Sequence, residues 1–204
     1  MFSSPLFNPR KVAFPLVLAL AATAFAQTAA TPAQQPAPAT TAAAPAAPKI
    51  EDQSTFTVVG VTVRTNNAKE AGGQGDIPQL WQNAMQSNTL DQVQNRAGDD
   101  LVVVYSDYAS DNTGDYNYTL GYRVTAADKI PTGMVAKTVH AGKYAVLTSA
   151  QGAPQEVIPA LWRRISTMTP DQMGGTRAYQ TDFETYGDIV DFGNMQMTAH
   201  IGLK

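Results

Sequence analysis

The sequence contains no cysteine. Disulfides, thiolate metal sites and lipid-modified cysteines are excluded, so stability has to come from packing in any redox compartment. Histidine is nearly as scarce: His140 and His200 stand alone, and neither has the neighbouring ligands that a metal centre needs. Charge is thin, at 15% of residues, with 14 Lys+Arg against 17 Asp+Glu. Within residues 50–204 the only adjacent basic residues are Arg163 and Arg164. Phosphate binding needs clustered positive charge, so no nucleic-acid partner is expected. Gly72-Gly73-Gln74-Gly75 lacks the rest of a phosphate-loop motif, and no Ser, His or Cys constellation marks a nucleophile. One long apolar run exists, Val12 to Phe25, and it is short of the roughly 20 residues that span a membrane.

What is present begins with that run. Arg10 and Lys11 precede it, and Ala24-Phe25-Ala26 supplies the small residues of a cleavage site. Residues 1–26 therefore read as a secretory signal peptide, which predicts a periplasmic or secreted protein. Residues 27–49 are almost wholly Ala, Pro, Thr and Gln. That composition cannot build a core and reads as an extended tether. Residues 50–204 have the length of one domain with a good core.

Inside this domain the pattern Ile-Pro-x-Leu-Trp occurs twice, at Ile77 to Trp81 and at Ile158 to Trp162, 81 positions apart. The same offset carries Tyr105 onto Tyr186, Leu120 onto Ile201 and Gly121 onto Gly202. Two copies of one unit are expected. Ile77, Leu80, Trp81, Ala84 and Met85 fall at helical spacing, as do Ile158, Leu161, Trp162 and Ile165, giving two amphipathic helices. Pro78 and Pro159 mark their starts, with Asp76 as an N-cap for the first. Strands are expected at 56–65, 101–108, 116–125, 134–149 (interrupted at Gly142), 177–188 and 195–204, with polar loops at 66–75 and around Gly98-Asp99-Asp100. The predicted fold class is α+β, with two pseudo-symmetric βαββ units forming an antiparallel sheet, two main helices and a central groove.

Several stretches together carry a family likeness. Ala141-Gly142-Lys143-Tyr144-Ala145-Val146-Leu147, the second Ile-Pro-x-Leu-Trp helix, Asp182-Phe183-Glu184-Thr185-Tyr186 and the ending His200-Ile201-Gly202-Leu203-Lys204 resemble the gyrase-inhibitor-like (GyrI-like) effector-binding domain. That module is attached to many AraC-type and MerR-type transcription activators. The resemblance covers residues 55–204 and rests on order and spacing. It implies a groove that binds small, often hydrophobic and cationic, organic molecules. It also implies a groove glutamate two residues before a tyrosine, a pattern matched by Glu184 and Tyr186. The family's final strand usually ends in Ile-Pro-x-Lys, where this chain has Ile201-Gly202-Leu203-Lys204.

The residues support a cation site independently. Asp182, Glu184 and Tyr186 share one strand face, while the position 81 before Glu184 is Val103. A carboxylate on one side of an otherwise repeated aromatic cleft suits an organic cation through its charge and the negative ring faces. The candidate ligand-binding residues are Glu184, Tyr186, Tyr105, Trp162, Trp81 and Tyr118. The expected function is that of an exported, stand-alone binding protein for a small hydrophobic or cationic ligand, not itself DNA-binding, with no cofactor, no metal and no assigned catalytic residue. One alternative is a hydrolase of small strained-ring or xenobiotic compounds using Glu184 and Tyr186 as acid or base. Another is a protein-interaction module of the cell envelope.

Overall fold

The computed structural model describes residues 46–73, 75–187 and 193–204. The expected signal peptide and nearly all of the expected tether lie outside the described residues. In chain order the elements are β1 (Lys49–Gln53), β2 (Phe56–Thr65), α1 (Asn67–Ala71), α2 (Ile77–Ser87), a 3-10 turn (Thr89–Gln92), β3 (Arg96–Ser106), β4 (Tyr116–Val124), β5 (Val135–Val139), β6 (Gly142–Thr148), α3 (Pro154–Thr167), α4 (Pro170–Met173), β7 (Arg177–Tyr186) and β8 (Met197–Leu203). The strands form one sheet in the order β1-β6-β8-β7-β3-β4-β2-β5. Every pairing in it is antiparallel. Among the described residues no helix is long and apolar enough to cross a membrane.

Two units of the same order, β2-α2-β3-β4 and β6-α3-β7-β8, meet at the sheet centre through β3 and β7. Their register sets Leu101 opposite Tyr186, Val103 opposite Glu184 and Tyr105 opposite Asp182. A shift of 81 exchanges the two outer pairs and maps the middle pair onto itself. The approximate two-fold axis therefore passes between Val103 and Glu184.

Alternation along the strands sends Val59, Val103, Tyr105, Tyr118, Leu120, Tyr186, Met197, Ala199 and Ile201 to one face. There they pack with Leu80 and Ala84 of α2 and Leu161 and Ile165 of α3. The other face carries a smaller cluster that includes Phe56, Val102, Val104, Tyr144 and Phe183. The connection from β5 to β6 passes beside this face: the His140 N–H reaches Thr181 Oγ1 (3.4 Å), and the Tyr144 hydroxyl donates to the His140 carbonyl (2.8 Å). Gly60 and Gly121 are opposed on β2 and β4. A Cβ on Gly60 would lie 2.0 Å from the Leu120 carbonyl oxygen, so the close approach of these strands admits only glycine.

The expected strand 134–149 is two strands. β5 pairs with β2 and β6 with β8, in opposite halves of the sheet. The expected loop 66–75 contains α1, because the Asn66 side chain accepts from the Lys69 N–H (2.8 Å) and caps a short helix. Glu70 of that helix accepts the Asp76 N–H (3.0 Å), and Asp76 pairs with Lys69 (2.6 Å). Asp76 therefore makes no side-chain cap to α2. Pro159 does not start its helix: α3 begins at Pro154 and carries Pro159 inside. Burial of Val157, Leu161 and Ile165 holds α3 on the sheet despite the hydrogen bond that an interior proline forgoes. Met85, expected on the buried stripe, is exposed. Gly98-Asp99-Asp100 lies within β3, where the register with β4 shifts between Arg96 and Leu101. A matching shift interrupts β7 between Arg177 and Asp182. β1 begins at Lys49, the last residue of the expected tether, and the Arg164 guanidinium donates to the Ala46 carbonyl just before it.

Candidate functional site

Glu184 sits near the C-terminal end of β7, two residues before its last residue Tyr186, with 0% exposure. Its cross-strand neighbours on that face are Val103 and Ala199, and the small Ala199 side chain leaves room for the longer carboxylate. Three aromatic side chains donate to it. The Tyr105 hydroxyl reaches Oε1 at 2.9 Å, the Trp162 indole N–H reaches Oε1 at 2.5 Å and the Tyr186 hydroxyl reaches Oε2 at 2.7 Å. Tyr105 comes from β3, Trp162 from α3 and Tyr186 from β7, so the constellation is a product of tertiary packing.

The rings interlock about the two-fold axis. Trp162 lies against Tyr105, centroids 5.0 Å apart, and Trp81 lies edge-on to Tyr186 at 5.2 Å. Each helix thus delivers its tryptophan to the tyrosine of the other unit. Tyr118 packs edge-on to Tyr105 at 5.1 Å and accepts the Trp81 indole N–H at 2.7 Å. All six candidate residues are therefore brought together. The symmetry breaks in what the tryptophans bond to, a phenol for Trp81 and a carboxylate for Trp162. Around Glu184 the cleft is closed in this conformation, its carboxylate fully covered by its donors.

Burial pushes the Glu184 carboxyl up from its ordinary value of 4.5, against the pull of the Tyr186, Trp162 and Tyr105 hydrogen bonds. Burial also raises the phenols of Tyr105, Tyr118 and Tyr186 well above the usual range, with the Glu184 carboxylate as the next cause. They remain protonated donors. An indole N–H can only donate, so this donor set is matched to an ionised carboxylate. No group of three or more His, Cys, Asp or Glu that could hold a metal ion exists among the described residues.

A second polar cluster adjoins the first, and sequence reading missed most of it. Asp182, 1% exposed, pairs with the Arg177 guanidinium at 2.5 Å. It also accepts the Tyr108 hydroxyl at 2.5 Å and the Gly202 N–H at 2.8 Å. The guanidinium lies 4.5 Å from the Tyr179 ring centre and 5.6 Å from that of Trp162. Burial is the largest influence and works against its charge, but the Asp182 carboxylate together with Tyr108 and Tyr179 outweighs it and holds the guanidinium protonated. The available signal was the repeat itself, because Arg96 and Arg177 are 81 positions apart. Both stand where a strand register shifts.

The sequence model of the Cass2 family, described as integron-associated effector binding protein, matches residues 49–201. The chain belongs to the Cass2 family. The Cass2 match contains every residue of the Glu184 cluster, and the GyrI-like effector-binding fold expected from the sequence is the one found. Among curated relatives, YobU of Bacillus subtilis (strain 168), provisionally named a transcriptional regulator, is 28% identical over 129 residues, covering 62% of this chain and 78% of its own. An integron cassette protein from the mobile metagenome of Vibrio cholerae has the same fold, with a TM-score of 0.61 at 23% identity, over 78% of this chain and 96% of that one. SAV2435, solved bound to tetraphenylphosphonium, aligns with a TM-score of 0.63 at 18% identity, over 77% of this chain and 93% of that one.

Proposed function

We propose that this Cass2-family protein is an exported binding protein for small aromatic cations, which it holds against Glu184 within the walls formed by Trp81, Tyr105, Tyr118, Trp162 and Tyr186. The observation that carries this reading is a buried carboxylate that accepts three hydrogen bonds on the symmetry axis of an aromatic cluster. A permanent, delocalised cation cannot donate a hydrogen bond, so it does not compete with the tyrosine donors and supplies the missing charge through its rings. SAV2435 was solved with a ligand of this character, which supports the reading. Entry requires Trp162 on α3 to move off the carboxylate, opening the cleft between its donors.

The reading has a pH signature. A cation favours the ionised carboxyl, so its affinity is expected to rise as pH increases through the elevated Glu184 value and to level off above it. Tetraphenylphosphonium, used as the probe, does not titrate, so the profile reports the protein. Calorimetric titrations between pH 4 and pH 8 check this, and a flat profile would remove Glu184 from the site.

Export rests on residues 1–26 and is tested separately. N-terminal sequencing of the protein recovered outside the cytoplasm is expected to begin at Gln27. Recovery of the intact chain from the cytoplasm alone would refute it while leaving the binding site unaffected.

A further inference from the structure

The sheet face opposite Glu184 bears a hollow of about 340 Å³. Phe56, Val102 and Phe183 give it an apolar lining, and Arg123, Thr185 and His200 are among its polar groups. The His200 imidazole stacks flat on the Phe183 ring, with centroids 4.1 Å apart and 6° between planes. Its Nδ1 is the one buried side-chain nitrogen or oxygen without a partner among the described residues. A buried N–H without an acceptor is rare in folded proteins, so the ring proton belongs on Nε2, the nitrogen not enclosed. Burial holds the imidazole down to about 4, so it is neutral near pH 7.

From this arrangement we propose that the hollow is a second binding site, for a small neutral phenol whose ring lies on the apolar lining and whose hydroxyl bonds to His200. A hydroxyl accepts from Nε2–H and can donate at the same time to Thr185 or Asp100, both of which line the hollow. Arg123, whose guanidinium lies 4.4 Å from the centre of the Phe56 ring, and Asp100 bring opposite charges to the same rim. Neither an aromatic anion nor an aromatic cation is then favoured over a neutral ring. The site is separate from the first because alternation along β7 and β8 places Phe183 and His200 opposite Glu184 and Ala199. The two sites share strands and no side chain.

The test is a titration of purified protein with phenol, followed through the imidazole nitrogen resonances, with the exposed His140 as internal reference. Phenol is expected to move the His200 signals in the millimolar range and leave those of His140 in place. Toluene, which has the same ring without the hydroxyl, should bind at least about fivefold more weakly, the worth of one hydrogen bond. His200→Phe keeps the stack on Phe183 and removes the nitrogen. It should lower phenol affinity to the toluene level and leave tetraphenylphosphonium binding unchanged. Unmoved His200 signals, equal binding of phenol and toluene, tighter binding of benzoate than of phenol, or full phenol affinity in His200→Phe would each overturn the proposal. If His200→Phe does not fold, the phenol, toluene and benzoate comparison on the unaltered protein decides.

Discussion

Glu184→Gln is expected to weaken tetraphenylphosphonium binding by about 1.5–3 kcal/mol, the range for contacts to a charged group, or roughly 10- to 150-fold. A neutral aromatic of similar size should bind almost as before. The substitution keeps the volume, and the hydrogen-bond network can absorb it. The new carbonyl oxygen replaces Oε1 and still accepts from Trp162 and Tyr105, whose donor atoms stand 2.5 and 2.9 Å away. The amide nitrogen then faces Tyr186, whose hydroxyl can turn from donor to acceptor. A tryptophan there could not. The fold therefore survives the loss of charge, and pH provides a control. A carboxyl raised by folding favours the folded state at pH below its unfolded value and loses that contribution as pH rises through its folded value. Glu184→Gln should remove this component from the stability profile together with the pH dependence of cation binding. Equal losses for charged and neutral ligands would mean disturbed packing, and no loss for either would place the cation elsewhere.

Asp182→Ala should cost about 3–5 kcal/mol of stability, the usual consequence of removing one member of a buried ion pair. The reason lies in what remains. Arg177, with a side chain 14% exposed, keeps its charge without the carboxylate at 2.5 Å, while the Tyr108 hydroxyl and the Gly202 N–H lose their acceptor. Arg177→Met should cost less, because Asp182 keeps those two donors. The double variant should be less destabilised than the sum of the single ones, since it removes both charges. Urea unfolding at neutral pH measures all three. A loss below about 1 kcal/mol for Asp182→Ala would show that the pair behaves like a surface salt bridge.

Most of the candidate site was legible because it is built from residues whose faces follow from period. Two-residue alternation placed Asp182, Glu184 and Tyr186 together, and helical spacing put both tryptophans on the apolar stripes of their helices. The offset of 81 identified Val103 as the uncharged counterpart of Glu184 without showing that the two are direct neighbours. That depends on the β3 and β7 register, which involves residues far apart in the chain. Arg177 gave no local signal, being a single arginine at the first position of a strand. Its importance comes from a register shift and from Asp182, Tyr108 and Tyr179 converging on it.

By its own pattern, the chain indicated the α+β class, the strand faces, both main helices and carboxylates beside a tyrosine on one strand face. These depend on local periodicity, which is written residue by residue. Tertiary structure alone decided that residues 134–149 divide between opposite halves of the sheet, that Glu184 lies on the symmetry axis, and that three donors from β3, α3 and β7 close over it. It also decided that Trp81 bonds to Tyr118 while Trp162 bonds to Glu184. Such outcomes are set by which strands pair and in what register. Pairing is chosen by the burial of whole faces and by close approaches such as Gly60 on Gly121, energies that belong to the assembled sheet and to no single stretch of sequence.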